Sequence, residues 1–365
     1  MINVTFKLTR YHPLHKRGKI MKTVLKGIGR FFAWLGVTLV GILVILVLCI
    51  NLIVHGPSPE AKNLFVTTML ETGQMKWVVG LFLSPEEVQE IVNHNAMIPI
   101  AEDSDPEAID TGDTAEIDRS LITIDKVEGD NFTATMMVVN DPSRVFVGTT
   151  YPWGEYGKEL DKIVNAYGAT GGVNGGLYYS AANKGGRPYG PVVSNGEIQN
   201  MSNLAMAGLV LIGMSNENKL IIKDIEGMSE ADVRGIISEY GIRDAVAFQD
   251  EASDSNNHFV KLIINGEKRQ LNGMGSGANP RTAIGQTKDG RMLLLVTDGR
   301  GANGHLGATA SDLIEIMDKY GAVNAANLDG GSSTCMYYNG QWLQNSVTFY
   351  YATSSWRIPT SFLVR

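Results

Sequence analysis

The longest hydrophobic run of the chain covers residues 31–50, FFAWLGVTLVGILVILVLCI, and contains no charged residue. A helix of about 20 apolar residues spans a bilayer, whereas a soluble core helix of this length seldom lacks a polar face. The run is also longer than the hydrophobic region of a cleaved signal peptide. We therefore predict an uncleaved transmembrane signal anchor over residues 31–54, in preference to a buried soluble helix.

Helical and alternating patterns predict the elements that follow the anchor. Residues 55–100 show a helical pattern, in which Ser84 and Pro85 have the chemistry of a helix start. Beyond residue 118, predicted strands and predicted helices follow one another without a strict βαβ order. This mixture favours an α/β to α+β domain around a single mixed sheet with flanking helices. The predicted helices are residues 157–167, 228–241 and 309–321, and the clearest predicted strands lie near residues 121–140, in LAMAGLVLIG and in RMLLLVTDGR.

Composition divides the chain into five predicted regions. Residues 101–118 concentrate acidic side chains with Pro and Gly, which is typical of a solvated linker. The regions are a basic tail (1–30), the anchor (31–54), a helical stalk (55–100), the acidic linker (101–118) and one large domain (119–365).

The charge distribution predicts the orientation of the anchor. Residues 1–59 carry eight basic and no acidic side chains, which leaves 23 basic and 38 acidic side chains from residue 60 onward. The positive-inside rule then places the N-terminus in the cytoplasm and the large domain outside the cell. So acidic a domain lacks the basic surface that nucleic-acid binding requires. The composition does not indicate the oligomeric state.

The most informative motif is NLDGGSSTCM, which runs from Asn327 to Met336. Asp329 is its only carboxylate and its candidate base or nucleophile, and the glycines free backbone N–H groups to approach a ligand. Taken alone, an Asp-Gly-Gly sequence is also compatible with a simple turn. The predicted ligand-binding residues of this loop are Asn327, Gly330, Gly331, Ser332 and Ser333.

Three other loops place polar residues where predicted strands end, so we expect them to converge with the first loop on one site. These loops are VNGG (residues 173–176), NPRTAIG (residues 279–285) and TDGRGANGH (residues 297–305). Asn and Arg side chains suit the hydroxyl groups and the phosphate of a phosphorylated sugar. On local evidence each loop has a plainer interpretation, as a tight bend, a surface charge or a hairpin turn. The predicted substrate-binding residues are Asn174, Gly175, Gly176, Arg281, Thr282 and Arg300, and Asp298 is a second candidate catalytic carboxylate.

Two further residues have open roles. His305 is either a structural residue or an acid–base group, because it lies in the same glycine-rich loop as Asp298. Cys335 is either a buried thiol or a nucleophile, and with only Cys49 elsewhere, inside the anchor, no disulfide is predicted. The sequence contains no HExxH, paired CxxC, EF-hand, Gly-x-Ser-x-Gly or Walker motif, so we predict no metal and no cofactor.

Residues 119–365 resemble the phosphodiester glycosidase family, also described as exopolysaccharide biosynthesis proteins. The segments VNGGLYY, RTAIGQTKDGRMLLLVTDGR and YGAVNAANLDGGSSTCMYYNG carry the likeness by their order and spacing. The family commonly has NLDGGG followed by Ser and Thr, whereas here Ser332 occupies the third glycine position and Cys335 lies near the usual threonine. This departure bears most on substrate identity, because an added side chain reshapes the binding site.

The resemblance implies hydrolysis of a sugar-1-phosphodiester at its glycosidic bond. Arg281 or Arg300 would hold the phosphate, and Asp329 and Asp298 would serve the anomeric centre. The expected function is that of a membrane-anchored extracellular glycosidase acting on cell-surface polysaccharide or a teichoic-acid-like polymer. The alternatives are a non-catalytic glycan-binding module and a scaffold in exopolysaccharide assembly.

Overall fold

A computed structural model of the protein describes residues 14–73, 75–112, 117–253, 255–348 and 353–365. The chain divides into two compact units, one that ends at Lys62 and one from Asn63 to Arg365. Part of the predicted basic tail, residues 1–13, and part of the predicted acidic linker, residues 113–116, lie outside the described residues.

Helix α1 (Leu14–His55) contains the predicted anchor. Its stretch Met21–His55 is 35 residues long and contains an 18-residue window with a mean hydropathy of 3.1. At 1.5 Å per residue such a helix is longer than the ~30 Å hydrocarbon core of a bilayer. By length and composition, α1 is therefore a candidate transmembrane span.

Six shorter α-helices follow in the described part of the chain, and three of them begin with a reciprocal capping box. Ser84, Ser229 and Thr309 each accept a hydrogen bond from the backbone three residues on, and the acidic side chain at that position bonds back. The helix starts predicted at Ser84 and near Thr309 are thus confirmed. The helices are α2 (Pro59–Leu70), α3 (Lys76–Val79), α4 (Pro85–His94), α5 (Leu160–Ala166), α6 (Glu230–Glu239) and α7 (Ala310–Lys319).

The first strands are β1 (Ile122–Glu128), β2 (Thr133–Val139), β3 (Val145–Thr149), β4 (Gly171–Asn174), β5 (Gly190–Ser194), β6 (Glu197–Ser202), β7 (Leu209–Ser215), β8 (Leu220–Asp224) and β9 (Ile242–Gln249). The later strands are β10 (Glu251–Ala252), β11 (Asn257–His258), β12 (Lys261–Ile264), β13 (Glu267–Lys268), β14 (Thr282–Thr287), β15 (Met292–Thr297), β16 (Ala322–Asn327), β17 (Met336–Tyr338), β18 (Gln341–Gln344) and β19 (Thr360–Val364).

These strands form three larger sheets and one short pair, β10-β11. A seven-stranded sheet has the order β1-β2-β15-β14-β16-β12-β13, and two five-stranded sheets have the orders β18-β17-β4-β19-β3 and β6-β5-β9-β7-β8. The predicted combination of helices and sheet with flanking helices is confirmed. The single mixed sheet is corrected, because the described strands form several sheets in which neighbouring strands pair antiparallel. The strands are divided among three larger sheets. Many strands, such as β7 and β15, are buried on both faces, so their sheets need another sheet or a helix packed on each side.

The alternation of side chains along a strand explains the layers. In β15, Leu294 and Val296 face a core shared with residues of all three larger sheets, while Leu293 and Leu295 face α7. In the same way, α6 covers the outer face of the sheet that contains β7, and α5 covers the sheet that contains β4. Each larger sheet thus has one face on the common core and one face under a helix.

Most of the predicted stalk and the described part of the predicted linker lie in the compact unit that contains the sheets. From Asn63 onward, the helical segment belongs to the same compact unit as the sheets. The linker docks through Ser104, whose backbone N–H donates to the Ile222 carbonyl (3.0 Å), and through Asp103, which pairs with the buried Lys261 (3.2 Å). A buried ammonium needs carboxylate partners, and Asp103 contributes one of them beside Asp224 (2.7 Å).

Candidate active site

The Asp329 loop lies where the seven-stranded sheet meets the sheet that contains β4. Strand β16 ends at Asn327, and the next backbone N–H, of Leu328, donates to the Thr282 carbonyl at the start of β14 (2.8 Å). The Asp329 N–H donates to the Gly175 carbonyl, just beyond β4 (3.3 Å). The loop is therefore fixed by strands of two different sheets.

Asn174, the last residue of β4, connects three of the predicted site segments. Its Nδ2 donates to the Asp329 carbonyl (2.6 Å), and its Oδ1 accepts from the Thr282 hydroxyl (2.7 Å) and from the Cys335 N–H (3.2 Å). The side chain is buried. Asn174 and Thr282 thus lie at the site and support the Asp329 loop, and their contact with substrate stays a prediction.

Gly175 and Gly176 allow close packing behind the loop. A Cβ on Gly175 would lie 2.6 Å from the Thr360 hydroxyl, and one on Gly176 would lie 2.4 Å from the Ala247 carbonyl oxygen. Distances this short are incompatible with any side chain, so both positions require glycine. Asn327 is buried as well, and its Nδ2 donates to the Phe259 carbonyl (3.0 Å).

Asp329 is partly exposed to solvent but largely surrounded by protein. Burial raises the pKa of Asp329 to about 7, against the opposing effects of hydrogen bonds from Ser333 and the Gly330 backbone and of the charge of Arg300. A carboxyl group with a pKa near the working pH is suited to both accept and donate a proton. The buried phenol of Tyr178 shares a 2.8 Å hydrogen bond with the Ser333 hydroxyl and so fixes the donor beside Asp329.

The Arg300 guanidinium lies against the Gly330-Gly331 turn, beside Asp329. Its Nη1 donates to the Ser332 hydroxyl (2.9 Å). Gly331 has φ +62°, and a Cβ there would lie 2.6 Å from Nη2 of Arg300, so glycine is required for both its conformation and this contact. The prediction that these residues meet is therefore consistent with the geometry around Asp329.

Arg281 is held mainly by the protein itself. Its Nε donates to the Ala308 carbonyl (3.1 Å), and its Nη2 pairs with the Glu71 carboxylate and donates to the Ser276 hydroxyl (3.1 Å). The guanidinium also lies 4.9 Å from the centre of the Phe259 ring. Burial, and then the charge of Arg281, lower the pKa of Arg300 to about 10, so Arg300 is a cation at neutral pH. Of the two, Arg300 has fewer internal partners.

Asp298 belongs to a second hydrogen-bond network. Its carboxylate accepts from the Thr133 N–H (2.7 Å), from Asn303 Nδ2 (3.0 Å) and from His305 Nδ1 (2.9 Å). Among the residues that the structure describes, no hydrogen bond joins Asp298 to Asp329. The structure thus pairs Asp298 with His305, and the joint catalytic role of the two carboxylates stays a prediction.

Three site residues were not predicted from the sequence. Asn279 lies in the NPRTAIG loop and Tyr178 in VNGGLYY, so motifs already singled out contained both residues. Glu71 gave no signal, because it lies in the predicted stalk, far from every motif. Cys335 is buried, and burial raises the pKa of its thiol, which favours the interpretation as a structural thiol.

The fold of this chain is shared with a glycosidase of known structure. The catalytic domain of zebrafish N-acetylglucosamine-1-phosphodiester alpha-N-acetylglucosaminidase, auto-inhibited by its pro-peptide, superposes with a TM-score of 0.50. It is 19% identical, and the match covers 67% of this chain and 82% of the zebrafish chain. At this identity the likeness establishes the fold.

The phosphodiester glycosidase family model matches residues 167–365, which is more than half of the chain. The chain therefore belongs to the phosphodiester glycosidase family, which confirms the resemblance found in the sequence. The matched region contains Arg281, Arg300 and Asp329, but neither Glu71 nor Thr133.

Two other proteins are similar to parts of the chain. The SPbeta prophage-derived uncharacterized protein YomE of Bacillus subtilis (strain 168) is 37% identical over 67 residues, which are 18% of this chain and 10% of YomE. The chain thus matches about a tenth of the length of this curated relative. A hypothetical protein from Synechocystis is 18% identical with a TM-score of 0.41, over 67% of this chain and 62% of the other.

Proposed function

We propose that this protein hydrolyses sugar-1-phosphodiesters at the glycosidic carbon–oxygen bond. The observation that carries this proposal is that a half-buried carboxyl group, Asp329, and the guanidinium of Arg300 lie at the same glycine turn, close enough for each to shift the pKa of the other. The name of the zebrafish relative describes a glycosidase acting on N-acetylglucosamine-1-phosphodiester, which supports this substrate class.

Arg300 is proposed to bind the phosphate. As the anomeric carbon–oxygen bond breaks, the bonding electrons leave with the phosphate oxygen, and a phosphomonoester with greater negative charge is released. A fixed cation stabilises that charge more strongly in the transition state than in the bound substrate. Arg281, the other arginine predicted to hold the phosphate, is proposed to act mainly through its charge, because its Nε and Nη2 already have protein partners.

Asp329 is proposed to act at the anomeric centre. Its carboxylate form stabilises the positive charge that develops on the sugar and accepts a proton from the attacking water. Asp298 is proposed to contribute through His305, since its bond to Nδ1 fixes the imidazole and directs Nε2 away from Asp298. Nε2 has no hydrogen bond to any residue within the described ranges, so it is available for proton transfer.

We further propose a cell-surface setting with a phosphorylated glycan as substrate. The charge-free run of residues 31–50 in α1 and the eight basic residues before it support a single-pass anchor with the catalytic domain outside the cell. The substrate is then a phosphodiester-linked sugar of a surface polysaccharide or a teichoic-acid-like polymer.

The test is release of free reducing sugar by the full-length chain from a panel of aryl and nucleotide sugar-1-phosphodiesters. We expect wild-type turnover, a loss of at least about 100-fold in Asp329→Asn, and no loss in Asp130→Asn, which changes an exposed aspartate. Binding without turnover by the wild type would instead support the non-catalytic glycan-binding alternative. Equal activity of wild type and Asp329→Asn would refute the role of Asp329.

A further inference from the structure

The N-terminal segment contributes a buried carboxylate to the site. Glu71 directly follows α2, and its side chain is only 3% exposed. It accepts hydrogen bonds from the Gly277 N–H (2.8 Å), from Asn257 Nδ2 (3.0 Å) and from Asn279 Nδ2 (3.1 Å), and it pairs with Arg281. This residue lies well before residue 167, where the family match begins.

A glutamate is rarely buried unless its charge is matched. Burial raises the pKa of Glu71, while the charge of Arg281 and the hydrogen bonds from Gly277, Arg281 and Asn279 lower it. Four donors surround this carboxylate, and all of them belong to residues that are remote in sequence from α2. The arrangement indicates a role in the site rather than only in holding α2.

Asn279 transmits this arrangement to Arg300. Because Nδ2 of Asn279 donates to Glu71, its Oδ1 faces the other way and accepts from Nε of Arg300 (3.3 Å). The Asn279 backbone is fixed by two hydrogen bonds with Ala308 (3.1 and 3.0 Å). The guanidinium then reaches the Ser332 hydroxyl beside the Asp329 turn.

We propose that Glu71 is a positioning residue, which fixes the amide of Asn279 and thereby orients the Arg300 guanidinium toward the reaction centre. This proposal rests on the proposed function, because it assumes that Arg300 binds the phosphate. Glu71, which lies outside the family match, is thus part of the site.

The local charges support the same role. Arg281 and Arg300 are two neighbouring cations, and the charge of Arg281 makes the charged form of Arg300 less favourable. Glu71 pairs with Arg281, and the charges of Asp329 and Glu71 both favour the charged form of Arg300. Without the carboxylate at position 71, the Asn279 amide is free to rotate and present its N–H groups to Arg300, so that two donors face each other.

The kinetic test uses Glu71→Gln and Asn279→Ala in the full-length chain. Glu71→Gln keeps the shape and removes the charge, and Asn279→Ala breaks the connection while leaving the Glu71–Arg281 pair intact. We expect each variant to lower kcat by about 10- to 100-fold with a smaller change in KM. The double variant should lose no more than the worse single variant, because both act through one connection. Glu90→Gln, an exposed glutamate of α4, is the matched control and should behave as wild type.

A second readout does not require turnover. In protein labelled with ¹⁵N-arginine, the Nε–H signal of Arg300 is identified by its loss in Arg300→Lys. We expect its protection from hydrogen exchange to fall by about tenfold or more in Glu71→Gln and in Asn279→Ala, and not in Glu90→Gln.

The two readouts separate the possible failures. A wild type without turnover but with a protected Arg300 Nε–H that Glu71→Gln exposes would contradict the proposed function and support the positioning role. Wild-type kcat and unchanged protection in folded Asn279→Ala would overturn the positioning role. If Glu71→Gln does not fold, wild-type kcat and unchanged protection in Asn279→Ala still overturn the proposal, since that variant keeps the buried ion pair.

Discussion

Replacing Asp329 by Asn should stabilise the protein at alkaline pH. In the folded state burial raises the pKa of Asp329 from 3.8 to about 7. A group with a raised folded pKa binds its proton more tightly in the native state, so the wild type loses stability as pH rises from about 4 to about 7. A neutral Asn carries no such cost.

The size of the effect follows from the shift. Each pKa unit corresponds to about 1.4 kcal/mol, so the cost of ionising Asp329 in the folded protein has an upper limit of about 4 kcal/mol above pH 7. Solvent reaches Asp329 and screens part of this cost. Between pH 5 and pH 8 the stabilisation by Asp329→Asn should therefore grow by about 2 kcal/mol.

The assay is urea unfolding of the full-length wild type and Asp329→Asn at pH 5 and at pH 8, followed by circular dichroism. Other titrating groups change both proteins equally and cancel in the difference. Asp130→Asn, at an exposed position, is the control and should show no pH-dependent difference from the wild type. A stability difference for Asp329→Asn that stays constant between the two pH values would show that Asp329 is ionised throughout, and the reasoning would be refuted.

Three further substitutions test other parts of the structure. Gly331→Ala should lower kcat by about tenfold or more, because the new Cβ would displace the Arg300 guanidinium; steady-state kinetics checks this, and a wild-type kcat would contradict the contact. Ser84→Ala should reduce the free energy of unfolding by about 1 kcal/mol through loss of the capping box with Glu87, and no change in urea unfolding would refute the cap. Leu313→Ala, under the seven-stranded sheet, should reduce it by about 2–5 kcal/mol, and the same assay measures this.

Local sequence signals predicted much of the secondary structure. The capping box at Ser84 and the one at Thr309 are each formed within four residues, so the sequence contains all the groups that form them. The continuous apolar run of β15 likewise predicts a strand that is buried on both faces. The number of sheets was not predictable in this way, because it depends on which strands pair across long separations in sequence.

The site was predicted only in part for a similar reason. Residues of the glycine loops, such as Asn174, Thr282 and Asp329, meet as expected because strand ends carry them to one place. Glu71 was missed because only the folded structure shows that it lies beside Arg281. The pairing of Asp298 with His305 is local, but the sequence alone does not distinguish a bond between them from two separate side chains.

Ser332 shows how one departure from the family pattern changes the site. At the position where the resemblance predicts a third glycine, its hydroxyl accepts a hydrogen bond from Nη1 of Arg300. Nε of the same guanidinium is already used by Asn279. Two of the three nitrogen atoms are thus fixed by the protein, which leaves Nη2, above Gly331, as the nitrogen best placed to donate to a phosphate oxygen. A glycine at position 332 would leave Nη1 free as well and would allow a bidentate contact. Ser332 therefore occupies one possible phosphate donor and makes the guanidinium more rigid. We expect this to alter substrate preference rather than abolish hydrolysis.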